Sequence, residues 1–143
     1  MNINALVAVY VALWAERLAF QTYHWNSKGG PSYGDHLLFQ RLYEARDAEI
    51  DRMGEVLLAI GGPELISAPR TLGGMMHSIE AVEKPGQNDF QKAVLLVNSV
   101  LERINVANAA LGNSPYTVAV NNVLAGIADK HLEALYLLRQ RLA

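Results

Sequence analysis

The sequence predicts an all-α fold: a single domain, residues 1–143, in which four long helices form a bundle with one long crossover that carries a short extra helix. Two observations lead to this prediction. Glycine and proline interrupt the chain at four places, and the segments between the interruptions are compatible with long helices. Hydrophobic residues make up 51% of the 143 residues, which is enough for a buried core in a domain of this size.

The first hairpin consists of helices predicted at residues 2–26 and 35–60. The first helix is apolar nearly all round, which indicates burial on more than one side. Asp35 is the predicted N-cap of the second helix, and the sequence Gly-Gly-Pro that follows Ile60 is a clear stop signal. Because the connection between the two helices is short, they should be antiparallel.

The second hairpin consists of helices predicted at residues 89–111 and 115–142. Apolar residues recur along one face of each helix, and Pro115 suits the first turn of the fourth. The connection between the hairpins, residues 61–87, spans about 25 residues, and a structureless loop of that length is uncommon. We therefore predict a short extra helix at residues 72–83. Two antiparallel hairpins joined by one long crossover are the ferritin-like form of the four-helix bundle.

Composition and charge exclude several classes of function. The chain has no cysteine, which excludes disulfides, thiolate metal sites and cysteine nucleophiles and fits a cytoplasmic protein. Its net charge is −2 and its first basic residue is Arg17, so no basic arm is available for nucleic acid. The apolar run at residues 5–15 is too short to span a bilayer and is interpreted as part of a buried helix, with no membrane partner.

Four residues carry the predicted chemistry: His24, His36, Asp51 and Glu55. Imidazole nitrogens together with carboxylates suit iron, manganese or zinc. Asp51 and Glu55 are four residues apart on one helix and therefore share a face. His24 ends the first helix and His36 begins the second, so an antiparallel hairpin places both imidazoles at the same end.

The spacing along the second helix separates these residues into two pairs. His36 and Asp51 are 15 residues apart, which corresponds to about 22 Å along a helix axis. Metal–ligand bonds are about 2 Å long, so one chain cannot place all four residues on one ion. If the four residues share a site, a two-fold dimer must bring the histidines of one chain onto the carboxylates of the other.

Each residue alone has a simpler interpretation. Asp51 and Glu55 could be a solvated face with Arg52 paired to Glu55, and either histidine could be a packing or exposed residue. Other polar or sulfur-bearing residues receive structural interpretations: Tyr43 as interface packing, Asp47 as an outer-sphere acid, His131 as a hydrogen-bonded core residue, Met75 and Met76 as hydrophobic filler, and His77 without a role.

These motifs resemble the Dps family of miniferritins. The segment His24-Trp25-Asn26-Ser27-Lys28-Gly29 is similar to the family's HWN-x-x-G motif, and His36 follows at the family's 12-residue spacing. Asp51 and Glu55 are similar to its D-x-x-x-E carboxylates. The sequence Asp-Lys-His-Leu at residues 129–132 also resembles a segment near the family's C-terminus.

The resemblance implies a ferroxidase that oxidises Fe(II) with hydrogen peroxide or oxygen, and stores or detoxifies Fe(III) under oxidative stress. It implies that His24, His36, Asp51 and Glu55 bind iron, as many as two ions in each inter-subunit site. Trp25 corresponds to a family tryptophan that exchanges an electron beside the site and is the predicted catalytic residue. The expected assembly is a homo-oligomer, a two-fold dimer at least and a dodecamer in the family.

The chain also departs from the family pattern. Gln40 stands where an acid often follows the second histidine, Leu37 and Arg41 replace acids that help to seed mineral, and residues 113–122 lack the acids of the family's pore. Two alternatives therefore stay open. One is a DNA-binding protection protein, against which the missing basic tail argues. The other is a dimer or shell that binds metal without catalysis.

Overall fold

The computed structural model describes all 143 residues and contains helices but no strand. The four long helices are α1 (Ile3–Asn26), α2 (Ser32–Ile60), α4 (Asp89–Ala109) and α5 (Thr117–Leu142). A short 3-10 turn (Pro63–Ile66) and helix α3 (Ala68–Glu80) lie in the crossover between α2 and α4. The predicted all-α bundle, with a short extra helix in one long crossover, is therefore confirmed.

Helix α1 is the core helix of the bundle. It packs against α2, α3 and α4, and Leu6, Val9, Leu13 and Phe20 are fully buried. Its length and mean hydropathy of 1.5 would also suit a membrane span, but 61% of that stretch is buried inside the bundle, as in the core helix of a folded domain. Burial on several sides explains why α1 is apolar nearly all round.

The core consists of two apolar clusters, one towards each end of the bundle. One cluster joins the first half of α1 to the second half of α2, and contains Leu13, Met53 and Leu124. The other joins the second half of α1 to the first half of α2, and contains Phe20 and Phe39. Three buried polar residues, Glu16, Arg46 and His131, lie between the two clusters, at mid-height in the bundle.

Several predicted helix ends were wrong. Helix α2 begins at Ser32 instead of Asp35, which lies in the first turn and accepts hydrogen bonds from Arg141 Nε (2.6 Å) and Nη2 (3.0 Å). Helix α3 begins at Ala68 instead of Leu72. Pro69 lies in its first turn, where proline is tolerated. Helix α4 ends two residues early, at Ala109, and α5 begins at Thr117, after the turn that contains Pro115.

Candidate metal centre

The two histidines of the first hairpin hold each other in place. His24 Nδ1 lies 2.7 Å from the main-chain carbonyl oxygen of His36, and His36 Nδ1 lies 2.9 Å from the carbonyl oxygen of His24. The imidazole rings are stacked, with centroids 3.5 Å apart. This arrangement forms because the end of α1 and the start of α2 meet across the short turn at residues 27–31.

The reciprocal contacts decide which nitrogen of each ring can bind a metal. A carbonyl oxygen only accepts hydrogen bonds, so each Nδ1 carries a proton and donates it. In a neutral imidazole the lone pair then lies on Nε2, which neither His24 nor His36 uses in a hydrogen bond within the chain. Metal-binding histidines usually donate their second nitrogen in this way, which fixes the tautomer and the orientation of the ring.

A cationic and aromatic layer adjoins the histidine pair. The Tyr43 ring meets His24 edge-on with centroids 5.2 Å apart, and the Arg17 guanidinium lies 4.5 Å above the centre of the Tyr43 ring. Arg17 Nε also donates to Asp47 Oδ1 at 2.7 Å. Asp47, predicted as an outer-sphere acid, is thus held in an ion pair within its own chain.

Asp51 and Glu55 are exposed on α2, four residues apart. The nearest cation to Glu55 is Arg52 Nη1 at 3.9 Å from Oε1, which is beyond hydrogen-bond distance. Helix α2 runs without a break from Ser32 to Ile60, so the estimate of about 22 Å between His36 and Asp51 applies to the folded chain. The structure brings the two histidines together but leaves both carboxylates far from them.

No group of three or more histidine, cysteine, aspartate or glutamate side chains within the chain could hold a metal ion. The fit to a metal therefore depends on the chemistry of the two separate pairs. Two imidazole nitrogens with available lone pairs and two exposed carboxylates make a donor set that suits iron. A second chain would be needed to join them.

Trp25 and Gln40 are close in sequence to the two histidines. Trp25, the predicted catalytic residue, directly follows His24 and is 67% exposed at the end of α1. Gln40 Nε2 donates to Glu44 Oε1 at 3.0 Å, one turn further along α2. The amide of Gln40 is therefore oriented by a carboxylate that the sequence analysis did not consider.

An interior polar network was missed by the sequence analysis. Glu16 of α1, Arg46 and Glu49 of α2, and His131 of α5 meet between the two apolar clusters. Glu16 Oε1 lies 2.6 Å from His131 Nε2 and 3.3 Å from Arg46 Nη1, while Arg46 Nε lies 3.1 Å from Glu49 Oε2. His131 Nδ1 contacts the carbonyl oxygen of Ile127 at 2.8 Å, so His131 is the hydrogen-bonded core histidine that was expected.

This network holds two carboxylates against one permanent cation. Burial raises the pKa of Glu49, although Arg46 and His131 oppose the shift. The sequence did contain a signal for the network. Glu16 is the only acid in an otherwise apolar helix, and Arg46 falls between Leu42 and Ile50 on the buried side of α2.

Comparison with known proteins supports the fold. No protein-family model matches the sequence, and no curated protein matches it. Dps from Thermosynechococcus elongatus has a TM-score of 0.83 at 16% identity, over 99% of this chain and 89% of that protein. Dps from Vibrio cholerae O1 has a TM-score of 0.80 at 16% identity, over 99% of this chain and 88% of that protein. That protein is described as a member of a broad superfamily of ferritin-like diiron-carboxylate proteins.

A mutant of Dps1 from Mycobacterium smegmatis also shares the fold, with a TM-score of 0.77 at 18% identity, over 99% of this chain and 94% of that one. At these identities the similarity establishes the fold alone. The chain is folded as a Dps-type, ferritin-like helical bundle, as the resemblance in sequence implied.

Proposed function

We propose that this protein is a Dps-type miniferritin, a ferroxidase that oxidises Fe(II) at a site shared by two subunits. The observation that carries the proposal is the reciprocal contact between His24 and His36, which leaves a lone pair on each Nε2. The carboxylate pair of Asp51 and Glu55 lies about 22 Å further along the same unbroken helix. A site of four ligands therefore needs two chains.

The proposed dimer joins antiparallel copies of α2. Its two-fold axis would pass midway between the histidine and carboxylate pairs, opposite residues 43–47, so that the dimer contains two equal sites. An exposed apolar patch lies on α1 and α3, and its α1 member directly follows Arg17, which pairs with Asp47 of α2. It consists of Leu18, Leu72 and Met76, which are 49%, 63% and 61% exposed. Met75 is buried, in line with its interpretation as hydrophobic filler, whereas Met76 is exposed and would be covered by a dimer partner.

In this proposal Fe(II) is the substrate. The neutral imidazoles and the carboxylates bind it, and the negative charge of Asp51 and Glu55 favours the Fe(III) product over Fe(II). Two Fe(II) ions supply the two electrons that reduce one hydrogen peroxide to water, with two protons taken up. In the same proposal Trp25, which directly follows His24 in the chain and is exposed, donates an electron when only one Fe(II) is bound.

Storage of Fe(III) in a closed shell is a further part of the proposal. The oxidation site depends only on the dimer, whereas storage depends on a closed assembly such as a dodecamer. The region predicted to form the pore contains no acid at residues 113–122, and Val118 and Tyr116 are exposed there. We therefore expect slower entry of iron than through an acidic pore, because a neutral channel does not attract cations.

The proposal is tested by stopped-flow measurement of Fe(II) oxidation by hydrogen peroxide, with the variants His36→Ala and Glu55→Gln. His36→Ala removes one ligand but keeps the main-chain carbonyl that accepts from His24, so the second imidazole stays oriented. We expect each variant to lose the fast phase while the assembly stays intact by light scattering.

The matched control is Glu102→Gln, which removes an exposed carboxylate from α4 and should retain the full rate. Unchanged rates in His36→Ala and Glu55→Gln would exclude this site. Binding of Fe(II) without oxidation in the unmodified protein would instead favour the alternative of a non-catalytic metal-binding assembly.

A further inference from the structure

A cationic cavity lies between α1, α3 and α4, on the other side of α3 from the apolar patch. Arg70, Gly74 and His77 form one stripe of α3, whereas Leu72 and Met76 lie about 200° around the helix from Arg70 and Gly74. The cavity has a volume of about 440 Å³. That volume falls within the range of roughly 300–1,000 Å³ that is typical of small-molecule sites.

The lining of this cavity carries a local excess of positive charge. Two guanidinium groups, from Arg70 and Arg103, and the imidazole of His77 line it, and no carboxylate does. Neither arginine forms an ion pair with a carboxylate of the chain, although the net charge of the chain is −2. The arginines that do form such pairs are Arg17, Arg41, Arg46, Arg52 and Arg141.

Two hydrogen bonds to neighbouring helices hold Arg103 in position. Its Nη1 donates to the carbonyl oxygen of Ala8 at 2.9 Å, and its Nη2 donates to Ser78 Oγ at 3.2 Å. A guanidinium has five N–H groups, so further donors are available to a ligand. Arg103 is half-buried, and this burial lowers its pKa, which is the effect of desolvating a cation without a nearby anion.

Arg70 and His77 lie at the solvent side of the same cavity. Both are exposed, and Arg70 Nη2 contacts only Asn4 Oδ1, at 3.4 Å. Gly74, between them, lets α3 lie directly against α1, because a Cβ there would come within 2.5 Å of Val11 Cγ1. The close contact fixes the position of the Arg70–His77 stripe above Arg103.

We propose that this cavity binds phosphate, either as the free ion or as the phosphate group of an ester. A ligand with two negative charges matches the two guanidinium cations, the imidazole of His77 can donate a further N–H, and the planar fork of a guanidinium matches two oxygens of a tetrahedral oxyanion. Arg103 holds the oxyanion at the inner end of the cavity, and Arg70 and His77 close on it from the solvent side. This binding is independent of the proposed iron chemistry.

The test is isothermal titration calorimetry of the iron-free, assembled protein with inorganic phosphate, in a buffer whose only other small anion is chloride. We expect saturable binding with one site per chain. The double variant Arg70→Gln/His77→Gln should weaken binding by about tenfold or more, since it removes one guanidinium cation and one imidazole donor. Arg103→Gln should abolish it. Arg139→Gln, which removes an exposed arginine of α5, is the control and should leave the affinity unchanged.

The outcomes separate the two sources of phosphate. If inorganic phosphate binds more tightly than AMP, the ligand is the free ion. If AMP binds more tightly, and the same variants weaken its binding, the ligand is a phosphate ester. Arg103→Gln also removes two bonds between helices, so the double variant decides the matter if Arg103→Gln fails to fold. Absence of saturable binding, or equal loss in Arg139→Gln and in the double variant, would overturn the proposal.

Discussion

Replacing Arg46 by methionine tests the role of the interior polar network. Arg46 is 1% exposed, and it is the permanent cation that faces Glu16 and Glu49 inside the bundle. Methionine keeps much of the apolar stem but removes the charge. Glu16, which is fully buried, would then lie in the interior without a guanidinium partner.

The expected loss follows from the cost of an uncompensated buried charge. Removing one partner of a buried ion pair costs about 3–5 kcal/mol of the free energy of unfolding. For a chain of this size, each kcal/mol lowers the melting temperature by a few degrees, so we expect a decrease of roughly 10–20 °C. The assay is thermal unfolding followed by circular dichroism at fixed protein concentration, because a dimer or larger assembly melts in a concentration-dependent way.

Two comparisons make this result specific to the buried charge. Arg41→Met removes an exposed arginine of the same helix, paired with Glu133, and should cost no more than about 1 kcal/mol. Adding Glu16→Gln and Glu49→Gln to Arg46→Met removes the stranded charges and should recover most of the loss. If Arg46→Met melts no lower than Arg41→Met, the buried charge of Arg46 does not stabilise the bundle.

Two further predictions follow from burial and from the exposed apolar patch. Burial raises the pKa of Glu49 above its usual 4.5, so the folded state binds the proton of this carboxyl more tightly than the unfolded state does. The contribution of Glu49 to the free energy of unfolding is therefore complete below pH 4.5. It is lost as the pH rises through the pKa of the folded state. Glu49→Gln should therefore flatten the pH dependence in denaturant titrations and raise stability at neutral pH; an unchanged pH profile would contradict this. Leu72→Glu places a charge on the exposed apolar patch and should convert the protein to monomers, as measured by analytical ultracentrifugation. These monomers should oxidise Fe(II) slowly, although each chain keeps all four proposed ligands. A monomer that oxidises Fe(II) at the full rate would rule out a shared site.

The helices could be predicted from the sequence because their signals are local. Apolar periodicity and the positions of glycine and proline identified four long helices and the helix in the crossover. The start of α2 was predicted wrongly because the contact that decides it involves a residue far away in the chain. Asp35 looked like a helix cap, but it binds Arg141, which is 106 residues further on. No local pattern indicates such a partner.

The candidate site was likewise predictable from the sequence only in part. Residue type pointed to four candidate ligands, and their spacing separated them into two pairs, because the spacing depends only on the rise of a helix. The reciprocal contacts of His24 and His36 could not be predicted, because each acceptor is a main-chain carbonyl on the neighbouring helix. The interior network was missed for a similar reason: Glu16, Arg46 and His131 come from three helices, and the signals at each position do not show that the three side chains meet.

The central claim, that two chains complete each iron site, is tested most directly by mixing two inactive variants. One carries His24→Ala and His36→Ala, and the other carries Asp51→Asn and Glu55→Gln. In a mixed dimer one site combines both defects, and the other combines the intact histidines of one chain with the intact carboxylates of the other. Random co-assembly of equal amounts should therefore restore about a quarter of the normal Fe(II) oxidation rate, since half of the dimers are mixed and each holds one intact site. A co-assembled mixture, verified by tagged pull-down, that stays as inactive as its two components would contradict the shared site.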